Sequence, residues 1–313
     1  MKVVVIGGGT GSFTVLKGLK NKVDDLAAVV TMFDSGGSTG LLRDEFGILP
    51  PGDVRRCLIA LADENDNVMR QLFMFRFDEH SSLQGHSFGN LFLTALTEIT
   101  GNEAAAIQQA SKILRIKGRV LPVSFDDCHV HAKLENGQEI KGETNIDIPQ
   151  HDPNLRIVKT WLQPEAKANP EAVDAILKAD LVVIGPGDLF SSIVPNLLVK
   201  GIPEALKKSK AKKVYVCNVM TKYGETTGYK ASDFLKEVAK YGGSPDIVIC
   251  NTAKGSSAAL KKYAGQNQFP VIVDEDAIKK LNVKLITGDV ISASEIIRHD
   301  SEKLANLLVK LAK

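Results

Sequence analysis

Six short stretches of the chain concentrate glycines, hydroxyls, carboxylates and amides of the kind that capture an anionic small molecule. The first, GGGTGS from Gly7 to Ser12, directly follows the branched apolar run Val3–Ile6. After a strand, such a loop brings main-chain N–H groups close to a ligand, and the start of the next helix favours negative charge. The loop is not a Walker phosphate loop, because no Lys follows a glycine at the required position. Gly7 and Gly9 match the first two glycines of the dinucleotide fingerprint, but Ser12 takes the place of the third.

The second stretch, FDSGGSTGLLR, places Asp34 roughly twenty residues past the first loop, where a Rossmann fold sets the carboxylate that binds a ribose hydroxyl. Asp34 is expected to end the second strand. Gly36, Gly37, Ser38, Thr39 and Gly40 follow it with N–H and hydroxyl donors; a tight turn is the alternative use of so many permissive residues. In LPPGDVRRCLIAL, Asp53 is available as an N-cap, and Arg55 and Arg56 occupy a first helical turn where their charge opposes the dipole. An acidic ligand or a protein carboxylate would compensate them; a solvated surface is the plainer reading.

GHSFGNLFLTAL starts a helix at which Ser87 can cap, with His86 and Asn90 either structural or in contact with a ligand. IGPGDLFSSIVPN repeats the strand, glycine turn and helix order of the opening and holds Asp188, Ser191 and Ser192. Asp188 could cap, hold Mg²⁺ through water, or bind a ligand hydroxyl. NVMTKYGETTGY follows another strand with Asn218, Thr221, Gly224, Glu225 and Thr226, a polar loop suited to specificity. His129 and His131 share a strand face but lack partners for a metal set, so they read as surface residues and no residue is assigned to a metal.

The elements that must position these loops read as βαβ repetition. Strands are expected at Val3–Ile6, Ala28–Phe33, Leu181–Ile184, Val214–Cys217 and Asp246–Cys250. Helices are expected at Phe13–Lys20, Val54–Ala62, Asn90–Ile99, Ala104–Leu114, Pro170–Lys178 and Ser232–Tyr241. The fold class is α/β, a Rossmann-like, doubly wound and mainly parallel sheet in one domain over residues 1–313. An antiparallel β-hairpin around Asn136-Gly137 is inserted near residues 128–144, and the polar segment Asn145–Asn154 leads back to the sheet. The closing stretch SEKLANLLVKLAK aligns Leu304, Leu307, Leu308 and Leu311 on one helical face for packing against the sheet or against a partner helix.

Composition narrows the partners. With 39 Lys+Arg against 37 Asp+Glu and no basic block, neither nucleic acid nor an anionic membrane is indicated. The four cysteines are dispersed among apolar neighbours and read as small buried residues of a reducing, cytoplasmic protein. No apolar run is long enough for membrane insertion. A small-molecule ligand is the expected partner; a homo-oligomer is left open, and no protein partner is named.

In this order, GGGTGS, DSGGSTG, LPPGDVRR, GHSFGN, IGPGDLFSSIVPN and NVMTKYGET resemble the YvcK-type gluconeogenesis factors within the wider family of 2-phospho-L-lactate transferase (CofD) proteins, over nearly the whole chain. The resemblance implies a nucleotide ligand, of UDP-N-acetylglucosamine type or NAD. It further implies that Gly9, Thr10 and Gly11 hold its phosphate, that Asp34, Gly36, Gly37, Ser38 and Thr39 line the same cleft, and that Gly187, Asp188, Ser191, Asn218 and Thr221 approach from later turns. Ser35, Asp188-Leu189 and Lys222-Tyr223 depart from the commoner family forms. The function implied is a cytosolic regulatory factor needed for normal cell shape (morphogenesis) during gluconeogenic growth, with no catalytic group assigned. One alternative is a Mg-dependent phospholactate-type transferase of deazaflavin cofactor synthesis, with Asp34 or Asp188 positioning the metal or the acceptor hydroxyl. An NAD-binding oxidoreductase is the other.

Overall fold

The computed structural model describes residues 1–63, 67–78, 80–293 and 296–312. Its strands are β1 (Lys2–Gly7), β2 (Asp25–Val30), β3 (Arg119–Pro122), β4 (His129–Leu134), β5 (Glu139–Lys141), β6 (Ile157–Gln163), β7 (Leu181–Ile184), β8 (Lys212–Val216), β9 (Ile247–Asn251) and β10 (Lys284–Gly288). Seven of them form a parallel sheet in the order β10-β9-β8-β7-β1-β2-β3. β1 and β7 lie side by side at its centre, Val3 opposite Leu181 through Ile6 opposite Ile184. From β1 the chain winds outward to β3, and from β7 it winds the other way to β10. This reversal makes the gap beyond the carboxyl ends of β1 and β7 the switch point at which such sheets hold ligands.

Both sheet faces are covered, which is why these strands read as unbroken apolar runs rather than alternating ones. Val3 and Val5 bury against α1 (Gly9–Leu19), α3 (Gly52–Leu61) and the C-terminal helix Ser301–Ala312. Val4 and Ile6 point the opposite way, into a core shared with the antiparallel strands. The C-terminal helix buries Leu304 and Leu308 there, so packing within the chain is the use made of its apolar face. It crosses α1 so closely at Gly18 that an added Cβ would overlap the Ser301 carbonyl oxygen.

Several elements differ from expectation. β2 ends at Val30, three residues short of Phe33, because β1 turns away at Gly7; the last bond runs from the Thr31 N–H to the Gly7 carbonyl, 3.2 Å. Asp34 therefore stands in a loop beyond the strand. The hairpin β4-β5 gains a third strand, β6, to make a sheet of order β5-β4-β6. Its buried residues, among them Val130, Ala132, Ile140 and Leu162, join the core under β1. A short helix, Glu143–Asp147, runs from the end of the hairpin into the polar return segment, and its acidic side chains face the switch point. The edge strands β3 and β10 begin on Arg119 and Lys284 and escape an apolar-run criterion. The four cysteines are free and buried. Among the described residues, no helix is long and apolar enough to cross a membrane.

Candidate functional site

A cavity of about 580 Å³ opens over the ends of β1 and β7. Of the residues expected at the ligand, Gly9, Thr10, Gly11, Asp34, Gly36, Gly37, Ser38, Thr39, Asn90, Gly187, Asp188, Ser191, Asn218 and Thr221 line it, whereas His86, Gly40 and the loop residues Gly224, Glu225 and Thr226 do not. His86 sits one bond behind, its Nδ1 3.0 Å from the Ser38 hydroxyl. The six motifs, dispersed over more than half of the chain, thus meet at the switch point.

The glycines of the first loop serve close packing rather than unusual backbone angles, since none of Gly7, Gly8, Gly9 or Gly11 has positive φ. Gly11 lies against the Pro186 carbonyl, which an added Cβ would overlap, so the turns after β1 and β7 are in direct contact. A Cβ on Gly9 would meet Asp53 and Arg56, each at 2.5 Å. The second glycine cluster is the start of a helix, α2 (Gly37–Phe46), and not an isolated turn. Gly37 takes φ +46°, and the Gly36 N–H donates to Asp34 Oδ1 at 2.9 Å, fixing that carboxylate at the helix mouth.

Asp53 does not cap α3, whose N-cap is Pro51; it reaches across to accept a hydrogen bond from the Gly9 N–H. Burial, reinforced by the neighbouring charge of Asp34 and opposed by Arg56, raises its pKa to about 7. The two arginines beside it divide their roles. Arg56 is exposed and bonds the Thr10 hydroxyl at the cavity wall. Arg55 is buried: Nε donates to Asn90 Oδ1 at 2.9 Å and a terminal nitrogen to the Phe73 carbonyl at 3.0 Å. Burial lowers its pKa to about 10. Asn90 in turn donates to Ser38 and Thr39 at 3.3 and 3.4 Å, so GHSFGN braces the start of α2, and Ser87 caps its own helix as expected.

On the far wall the chemistry is acidic. Asp188 makes no capping bond; its Oδ2 is 2.8 Å from Lys222 Nζ. Lys222 also pairs with Asp147, and Glu225 Oε2 lies 3.7 Å away. Glu225 has no exposed side-chain surface, and its other oxygen accepts the N–H groups of Phe190 and Ser191 at 2.5 and 3.0 Å, closing the helical turn after β7. Burial raises the pKa of Glu225, less the pull of Lys222. Burial opposes the charge on Lys222, but Glu225, Asp188 and Asp147 outweigh it and raise the lysine pKa. Glu143, on the helix below, is likewise raised by burial and by Asp34 and Asp147.

Oxygens of Asp147, Asp188 and Glu225 come within 4.8 Å of one another, a spacing a divalent cation could bridge. Lys222 supplies a positive charge to all three, so a Mg²⁺ at Asp188, one of the two positions the transferase alternative allows, would have to displace that ammonium. Asn218 Oδ1 is buried with no hydrogen-bond partner and lines the cavity, an acceptor available to a ligand donor. Thr221 is more engaged: its N–H donates to the Phe269 carbonyl at 2.7 Å and its hydroxyl accepts the Phe269 N–H at 3.0 Å. His299, which sequence reasoning passed over with Glu143 and Asp147, also lines the cavity, and burial lowers its pKa to about 4. Asp53, Lys222 and Glu225 were visible within motifs, but their cross-chain partners were not.

A family model described as 2-phospho-L-lactate transferase CofD matches residues 3–291. The chain belongs to the CofD family. Within it, the chain is 42% identical to the gluconeogenesis factor of Bacillus subtilis, over 100% of this chain and 98% of that one. Identity is 43% to the gluconeogenesis factor of Halalkalibacterium halodurans, over 98% and 95%. A crystal structure of a UPF0052-family protein from Bacillus halodurans superposes with a TM-score of 0.93 at 42% identity, covering 98% of this chain and 99% of that one. These relatives align this CofD-family chain with the gluconeogenesis-factor group over nearly its full length.

Proposed function

We propose that the cavity binds a nucleotide-sugar of UDP-N-acetylglucosamine type, or a dinucleotide such as NAD, and that the protein is a cytoplasmic regulatory factor required for cell shape during gluconeogenic growth. The observation that carries this reading is the convergence of the turns after β1 and β7 with the start of α2 on one cavity. Main-chain amides and Arg56 suit phosphates on one wall, carboxylates suit ligand hydroxyls on the other, and the unpartnered Asn218 oxygen suits a nitrogen-bearing base.

Calorimetry with UDP-N-acetylglucosamine, NAD and GDP tests the reading. Binding of one of them, weakened in Arg56→Ala, is the expected result; absence of binding by all three at millimolar concentration overturns it. The family model supports the transferase as a second reading. Its assay is product formation from an activated phospholactate-type donor and a deazaflavin alcohol.

A further inference from the structure

The acidic wall has an unusual centre. Three carboxylates from separate segments, Asp147 before β6, Asp188 after β7 and Glu225 after β8, converge on one amine. Glu225 is the decisive member: its side chain is fully buried, and Oε2 has no hydrogen-bond partner and faces Lys222 Nζ. A buried carboxylate oxygen without a donor costs free energy unless a cation answers it. Here the only cation within 4 Å among the described residues is Lys222.

We propose that Lys222 is a tethered cation standing in a divalent-metal position built from Asp147, Asp188 and Glu225, and that it makes ligand capture in this chain independent of metal. A lysine ammonium is a compact point charge on a flexible stem and can donate to several oxygens at once, much as a small hard cation is shared among carboxylates. Removing it leaves three converging acids with oxygens within 4.8 Å, a set that an added divalent ion would bridge. Lys222 thereby determines whether the cavity carries one fixed positive charge or an exchangeable pair of charges. The metal part of this inference does not depend on which nucleotide the cavity takes.

The test measures Mn²⁺ uptake at pH 8, by loss of the free-ion electron paramagnetic resonance signal, in the full chain and in Lys222→Met, Lys222→Arg and the double variant Lys222→Met, Glu225→Gln. Lys222→Met is expected to take up one equivalent of Mn²⁺ beyond the wild type, at least tenfold more tightly than any wild-type uptake at this cluster. Lys222→Arg, which keeps the charge, and the double variant should lose that extra equivalent. Lys222→Gln replaces Lys222→Met if the latter lacks a native melting transition. No extra equivalent in a folded neutral variant, or an extra equivalent that survives Glu225→Gln, overturns the proposal. If a nucleotide binds, unchanged wild-type affinity in EDTA supports metal independence, and a tenfold loss in EDTA overturns it.

Discussion

The cavity has two helix starts that look alike in sequence and differ in what fills them. Both follow a central strand and a glycine turn, GGGTGS after β1 and GPGDLFSS after β7. At α1 the Gly9 N–H meets Asp53, a carboxyl whose pKa lies near neutrality and which can release its hold on gaining a proton. At Leu189 the N–H groups meet Glu225, fully buried and backed by Lys222. A helix N-terminus attracts an anion in either case. The chain supplies its own anion at both, sealed behind the turn and backed by a lysine at one and half-buried on the cavity wall at the other, so the glycine turn alone does not say which is open to a ligand.

The contrast can be broken most severely at the closed end. Glu225→Ala removes a buried carboxylate, leaves the Phe190 and Ser191 amides unpaired and takes one of three carboxylates from Lys222; a loss of about 3 kcal/mol in denaturant unfolding is expected. A loss below 1 kcal/mol would mean that water reaches this end. Gly11→Ala forces the β1 and β7 turns apart at the Pro186 carbonyl, at a cost of about 2 kcal/mol, with nucleotide binding lost in calorimetry.

The open end is sharpened by pH. Because the Asp53 pKa is raised on folding, from an ordinary carboxyl value to about 7, the folded state holds the proton more tightly. Its contribution to stability is full below the unfolded pKa and is lost as pH rises through 7, at a slope of at most about 1.4 kcal/mol per pH unit. Subtracting the Asp53→Asn stability curve from the wild type should isolate this slope between pH 4 and 7. Anion binding by the wild type should also weaken across pH 7, and in Asp53→Asn it should not.

The smallest effect on stability separates the paired arginines. Arg56→Ala should lower nucleotide affinity by about tenfold while leaving the melting temperature nearly unchanged, since its side chain is exposed. Arg55→Ala should lower the melting temperature clearly, because Asn90 and the Phe73 carbonyl lose a buried donor. Equal effects on both quantities from the two variants would erase the distinction.

The local pattern of the chain determined the α/β class, the central strands, the hairpin turn and the motifs that gather at the switch point, because strand burial and glycine turns leave marks on adjacent residues. The end of β2, the third antiparallel strand and the edge strands β3 and β10 were decided by pairing across the sheets, to which isolated segments carry little clue. The site divides in the same way. Gly9, Asp34, Asp188 and Asn218 stood out by type and place, whereas Asp53 bonded to Gly9, Glu225 closing the turn after β7, and Lys222 among three acids exist only as contacts between distant segments. Their protonation is set by burial and by neighbouring charges, and both of these come into being only when the chain has folded.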